Sequence, residues 1–260
     1  MKNSIKAGWL LIIFILILAG CESDLFLNTD KNTAEDSFND ITFLHDHFYT
    51  TNYDLSGHSG AQIDLFKIDT SGILVDRYEL DFNGMGYISM TNDGSNLYLL
   101  PRFNWFMIKL THVGEKYPLL PLPYDDEDMD WSASTFCYNS DADSLFVLFQ
   151  NSNYPDQYRG TYLAPDNPNT EGSKVNITFD FLDNIQYGCY AMTYHNDKYY
   201  ILAVRSDGTD ILMVTDEYLT PISTTDIVDH TVTGLDFLAG SDSLFFSYRD
   251  RRVSFFMEVD

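Results

Sequence analysis

Asn92-Asp93-Gly94-Ser95-Asn96-Leu97-Tyr98 joins a turn to the start of a strand, and its pattern returns four more times along the chain. Asp93-Gly94 is hairpin chemistry, because glycine accepts the left-handed backbone that tight turns require. The apolar-then-aromatic pair that closes the stretch, Leu97-Tyr98, has counterparts in Phe48-Tyr49, Leu145-Phe146, Tyr199-Tyr200 and Leu244-Phe245. Two positions ahead of these pairs stand Ser95, Asp46, Asp143, Asp197 and Asp242, all turn formers. A spacing of roughly 50 residues, with a hairpin in every unit, marks one repeated supersecondary element and not five unrelated hairpins.

Each unit divides into short apolar runs separated by turn residues. In the second unit these are Tyr87–Thr91, Leu97–Leu100, Phe106–Leu110 and Pro118–Leu122; in the fourth, Cys189–Tyr194, Tyr199–Val204, Ile211–Thr215 and Ile222–Ile227. No stretch beyond residue 20 sustains a 3.6-residue apolar period. The 18 Tyr and 19 Phe favour strands over helices. Four antiparallel strands per unit, repeated radially, is the β-propeller plan, so the sequence predicts an all-β propeller of five blades over residues 38–260. Six blades is the alternative if another unit is degenerate. The Asp93-Gly94 to Leu97-Tyr98 hairpin also resembles the hairpin of bacterial propeller blades. The last unit holds only three strands, near Leu235–Phe237, Leu244–Tyr248 and Val253–Val259. A ring closed by a strand from the other terminus leaves no open edge there, and Leu25-Phe26-Leu27 in segment 21–37 is the natural donor. The competing expectation is a three-stranded last blade with residues 22–37 as a loose tether.

The first twenty residues read as a targeting segment. Lys2 and Lys6 precede an apolar run from Trp9 to Leu18, which ends in Leu18-Ala19-Gly20-Cys21. That ending resembles the lipobox of bacterial lipoproteins. The resemblance implies removal of residues 1–20, lipid modification of Cys21 with fatty acyl chains such as palmitate, and attachment to a membrane of the cell envelope. Glu22 and Asp24 resemble a signal by which some Gram-negative bacteria send lipoproteins to the outer face of the outer membrane. The formal charge of −24 becomes two units more negative once Lys2 and Lys6 are lost, and such a surface repels nucleic acid. With Cys21 committed to lipid, Cys137 and Cys189 remain, and they are expected as buried free thiols on successive blades.

Loops that share one end of a propeller, called the top here, join second to third strands and outer strands to the next inner strand. The chain has only seven arginines, and Arg102, Arg159, Arg205, Arg249 and Arg251 fall at second-strand ends or in the loops that follow. They suit an anionic ligand such as an acidic glycan, because arginine binds planar anions through two parallel hydrogen bonds. The alternative is that each pairs with a nearby aspartate. Trp105, Trp131, Tyr154, Tyr158 and Tyr187 are expected in the same loop set and offer flat faces for sugar rings or for packing between blades. The candidate ligand-binding set is therefore Arg102, Trp105, Trp131, Tyr154, Arg159, Tyr187, Arg205 and Arg249. Asp125, Asp126, Asp128 and Asp130 in one acidic loop are candidate Ca²⁺ ligands, although their order is not that of an EF-hand loop.

Catalytic signals are sparse. Blade number resembles that of a class of five-bladed glycoside hydrolases, whose chemistry needs carboxylates facing each other across the substrate. His45-Asp46 superficially matches the start of such enzymes but occupies a hairpin turn at the opposite end. The expected function is a non-catalytic binding or scaffold propeller whose top loops take a glycan or a protein partner, with a carbohydrate-active hydrolase as the alternative.

Overall fold

The computed structural model describes residues 24–26, 37–53, 62–83, 88–102, 104–123, 130–178, 188–227 and 231–257. The targeting segment 1–20, Cys21 and Leu27 lie outside them. The described chain opens with a short strand, β1 (Asp24–Phe26). Blade 1 follows as β2 (Ser37–Leu44), β3 (His47–Tyr53), β4 (Gln62–Asp69) and β5 (Leu74–Asn83). Blade 2 holds β6 (Ile88–Asn92), β7 (Asn96–Pro101), β8 (Phe106–Thr111) and a two-residue outer strand β9 (Leu120–Pro121). Blade 3 is β10 (Trp131–Asn139), β11 (Ser144–Asn151), β12 (Gln157–Ala164) and β13 (Asn167–Thr178). Blade 4 is β14 (Cys189–His195), β15 (Lys198–Val204), β16 (Asp210–Asp216) and β17 (Pro221–Ile227). Blade 5 comprises β18 (Val232–Phe237), β19 (Ser243–Tyr248) and β20 (Arg252–Met257), and β1 completes it.

All five sheets are antiparallel and four-stranded, and the inner strand of each touches the inner strand of the next, β18 returning to β2. The chain is a five-bladed β-propeller. Ring closure joins its two ends: Asp24, Leu25 and Phe26 pair with Ser254, Val253 and Arg252. β1 thereby covers an edge of β20 that would otherwise expose unpaired N–H and C=O groups.

The repeated pair explains how the ring packs. Adjacent strand residues face opposite sides of a sheet, so the two members of each pair enter different seams. Tyr49 of blade 1 packs with Leu97 of blade 2, and Tyr98 of blade 2 with Leu145 of blade 3. Phe146 meets Tyr199, Tyr200 meets Leu244, and Phe245 closes the circle on Phe48. Among the described residues, the five apolar clusters are these five seams. Each fully buried aromatic contributes about 2–3 kcal/mol of transfer free energy, so every seam is a substantial share of a marginal total.

The polar residue two places ahead of each pair has a backbone reason. Asp46, Asp143 and Asp197 adopt φ of 60°, 45° and 59°, a region that aspartate tolerates better than most side chains. In blades 2 and 5, Gly94 (φ 83°) and Gly240 (φ 72°) take over that duty nearby. His45 likewise sits in a left-handed turn, with φ 49°, at the bottom of blade 1. Cys137 and Cys189 are free, buried thiols, as their spacing predicts.

Candidate functional site

Four inner strands carry a bulge near their top end, where the ladder skips Asn39 and Asp40, Ser134, Tyr190 or Thr233. Bulges re-aim side chains, and here they set polar groups around the mouth of the channel. Asn39, Ser134, Tyr190 and Thr233 are all buried. The Asn39 amide donates to Thr51 Oγ1 and to the Asn52 carbonyl, and Thr233 shares a hydrogen bond with Ser247.

Two carboxylates lie deeper, among the inner strands. Asp40 reaches from blade 1 to blade 2, where its Oδ2 accepts from Met90 N–H and Ser89 Oγ, each at 3.0 Å. Its Oδ1 accepts from Ile41 N–H at 2.9 Å. Ser89 continues to Thr135 of blade 3 at 3.0 Å, while Gly234 of blade 5 lies against Asp40 from the other side. A Cβ on Gly234 would stand 2.7 Å from the Asp40 Cα, so only glycine fits there.

Asp236 occupies the next layer towards the bottom. Its Oδ2 accepts from Thr42 Oγ1 at 2.6 Å and Phe43 N–H at 3.1 Å, both on blade 1. Its Oδ1 accepts from Thr193 Oγ1 of blade 4 at 2.8 Å and from Phe237 N–H at 2.9 Å. Level with it across the register are Thr91 and Cys137, and Thr91 Oγ1 accepts from Tyr138 N–H of blade 3. The channel is thus lined by small polar residues that satisfy the free edges of neighbouring inner strands. Burial holds both Asp40 and Asp236 above the usual carboxylate range, against the pull of these hydrogen bonds, and Asp236 pushes Asp40 further up.

Arg102 crosses the mouth. It leaves the top of β7 in blade 2, and its guanidinium donates to Ser134 Oγ of blade 3 and to the Cys189 carbonyl of blade 4, both at 3.3 Å. Only 6% of the residue is exposed. Ser134 Oγ donates to the same carbonyl, and the buried Tyr158 hydroxyl accepts from Cys189 N–H at 2.9 Å. On the blade 4 side, Tyr190 donates to Asp210 at 3.4 Å, and Arg249 lies close enough to oppose the rise in the tyrosine's pKa that burial and Asp210 cause.

The other sequence candidates take distinct places. Trp105 stacks on Phe149 in the seam between blades 2 and 3, with ring centroids 6.0 Å apart. Trp131 packs at the same seam, and the Arg159 guanidinium lies over its ring at 4.5 Å. Tyr154 is 58% exposed above blade 3. Arg205 pairs with Asp226 at 2.5 Å within blade 4. Tyr187, Asp125, Asp126 and Asp128 lie outside the described residues, and Asp130 is exposed at the foot of its loop. Among the described residues no group of three or more His, Cys, Asp or Glu is arranged around a common point for a metal ion.

Neither a family model nor a curated protein matches the sequence. Solved structures do match the fold. Glutaminyl cyclase from Myxococcus xanthus superposes with a TM-score of 0.62 at 14% identity, over 92% of this chain and 96% of that one. An exo-β-1,3-galactanase from Phanerochaete chrysosporium with galactose gives 0.58 at 10% identity, over 88% of this chain and 62% of the enzyme's. A tail fibre of Staphylococcus aureus phage P68 gives 0.50 at 10% identity, over 90% of this chain and 52% of the fibre's. At such identities the likeness is one of fold alone. Enzymes and a fibre share it.

The channel carboxylates are the functional-looking residues that spacing along the chain does not reveal. Asp40 and Asp236 each precede their repeat pair by the same number of positions, yet they lie in different layers.

Proposed function

We propose that this protein is a lipid-anchored envelope protein of the bacterial outer membrane that works as a non-catalytic binding or scaffold propeller, with its top loops taking a glycan or protein partner. One observation carries the reading. Asp40 and Asp236, the buried acids of the channel, spend both their oxygens on inner-strand N–H groups and hydroxyls, while Arg102 bridges the mouth above them. A glycosidase needs two carboxylates free to face a substrate, separated by roughly 5–9.5 Å with room between them. Acids held as struts between blades are poorly placed for that work. Arg159 over Trp131 and the exposed Tyr154 instead offer aromatic and cationic surface above blade 3, of the kind that stacks on sugars or on a protein loop.

The test is a glycan-array and pull-down screen of the Cys21→Ser protein, with and without Ca²⁺ to examine the acidic loop that contains Asp130. Saturable binding to one glycan class or one protein, weakened by Trp131→Ala and Tyr154→Ala, supports the reading. Absence of any partner in both screens overturns it. Membrane fractionation of wild type against Cys21→Ser tests the anchor: the variant should move to the soluble fraction.

The hydrolase reading has one observation in its favour, the Asp40 carboxyl that burial keeps towards its protonated form, as a general acid requires. Release of reducing sugar from envelope or plant polysaccharides, abolished by Asp40→Asn, would establish it over the scaffold.

A further inference from the structure

We propose that blade 5 is the side of the propeller held against the lipid bilayer, its arginine-rich rim meeting anionic headgroups, and that the seam between blades 2 and 3 is the side turned furthest away. The inference rests on the reading of Cys21 as the lipid-bearing residue.

The first observation is the place of β1. It is the outermost strand of blade 5, with Asp24 level with Ser254 and Phe26 level with Arg252. Cys21 precedes Asp24 by three residues, which span at most ~11 Å even when fully extended. Four strands at a spacing of ~4.8 Å put the outer edge of a blade ~20 Å from the ring axis, so the opposite rim is ~40 Å away. Whichever way the tether turns, it reaches only the rim of blade 5. In a ring of five, blades 1 and 4 flank blade 5, and the seam between blades 2 and 3 faces away from it.

Charge supplies the second observation. Three of the seven arginines, Arg249, Arg251 and Arg252, lie in the turn into β20 and at its first residue, at the top of blade 5, level with Phe26 and so at the opposite end of β1 from the side that leads to Cys21. Arg249 is exposed, and Arg252 lies over the Tyr248 ring at 3.9 Å while also pairing with Asp250 at 3.7 Å. On a chain of net charge −24 this is a local reversal of sign, on the same blade as the anchored strand but at its other end, and complementary to acidic lipid, so that anchor and arginines together hold blade 5 along its height. The bilayer that receives the acyl chains is the occupant that both observations fit. Trp105, Trp131 and Arg159 then stand at the outward seam, where a partner approaching from solution meets them first.

The experiment uses the full lipidated protein in vesicles that carry a headgroup-attached nitroxide quencher. Cys137 and Cys189 are buried, so a single introduced surface cysteine takes a fluorophore alone. Asp250→Cys and Ala239→Cys report the top and bottom of blade 5, and Asn153→Cys and Ala142→Cys the top and bottom of blade 3. Both blade 5 probes should be quenched several-fold more than both blade 3 probes. Adding phosphatidylglycerol to phosphatidylcholine vesicles should deepen quenching at Asp250→Cys, and a triple Arg249, Arg251, Arg252→Gln variant should lose that increment while still floating with the vesicles. Equal quenching of the two blades, or no dependence on phosphatidylglycerol, overturns the orientation with the anchor intact. Failure of the wild-type protein to float overturns the anchor reading itself, and the orientation falls with it.

Discussion

The guanidinium of Arg102, rooted in blade 2, donates to the carbonyl oxygen of Cys189 in blade 4 at 3.3 Å and so ties together blades that do not touch along a seam of their own. Hydrogen bonds from a charged donor are worth about 1.5–3 kcal/mol each when buried acceptors would otherwise be stranded. Arg102→Met should therefore lower stability by about 2–4 kcal/mol, visible as a shift in the urea midpoint. Arg102→Lys should recover little of it, because a single ammonium lacks the planar fork that reaches Ser134 and Cys189 together. A variant as stable as wild type would show that the bridge is incidental.

Gly234 is a second narrow point. Alanine there would drive its Cβ into the Asp40 carboxylate and backbone, neither of which is a flexible chain end. Gly234→Ala should cost at least about 2 kcal/mol in chemical denaturation. Gly208, with φ 86° and open space where a Cβ would go, serves as the control: Gly208→Ala should cost only about 1 kcal/mol, from backbone strain alone. Equal effects would mean that the fit against Asp40 is looser than described.

Channel acidity should be legible in the pH dependence of stability. Asp40 and Asp236 have folded-state pKa values raised above the ordinary 3.8, so above that pH the folded protein retains protons that the unfolded chain has already released. By linkage, their contribution is fully present below pH 3.8 and is lost as pH rises through the folded values. Asp69, Asp93, Asp207 and Asp242 are lowered and act in the opposite sense, but they are common to wild type and variants. Urea midpoints of wild type and Asp40→Asn, compared at pH 4 and pH 7, isolate the channel acid. The variant should gain on wild type as pH rises, and a difference that stays constant would refute the raised pKa.

Thiol chemistry offers a simple probe of ring integrity. Burial pushes the Cys189 thiol up to about 12 and Cys137 well above its ordinary value. The Cys21→Ser protein should show no reaction with Ellman's reagent under native conditions and two equivalents in denaturant. Fast native labelling of either would place it at an accessible surface.

Most of the architecture is legible in the chain because one physical rule repeats: a turn, then an apolar residue and an aromatic that face adjacent seams. Leu97 and Tyr98 have one role in packing, and Leu244 and Phe245 the same role three blades later. The channel resists the same treatment. Phe43 pairs with Phe48, and Tyr194 with Tyr199, but Tyr138 pairs with Leu145 and Phe237 with Leu244, so the hairpins of blades 3 and 5 are two residues longer. Counting back from the repeat therefore aligns Asp236 with Asp40, whereas hydrogen bonding sets it beside Thr42 and Thr193. The reach of Arg102 across the mouth was equally hidden, because no local pattern encodes a contact between blades 2 and 4.

The pairing of Leu25 with Val253 also dictates an order of events in synthesis. β1 has no partner until β20, made more than 200 residues later, has left the ribosome. Blades 1 to 4 can assemble in turn from neighbours in sequence, but the ring stays open through that whole interval, and its closure carries the entropy cost of the longest loop in the protein.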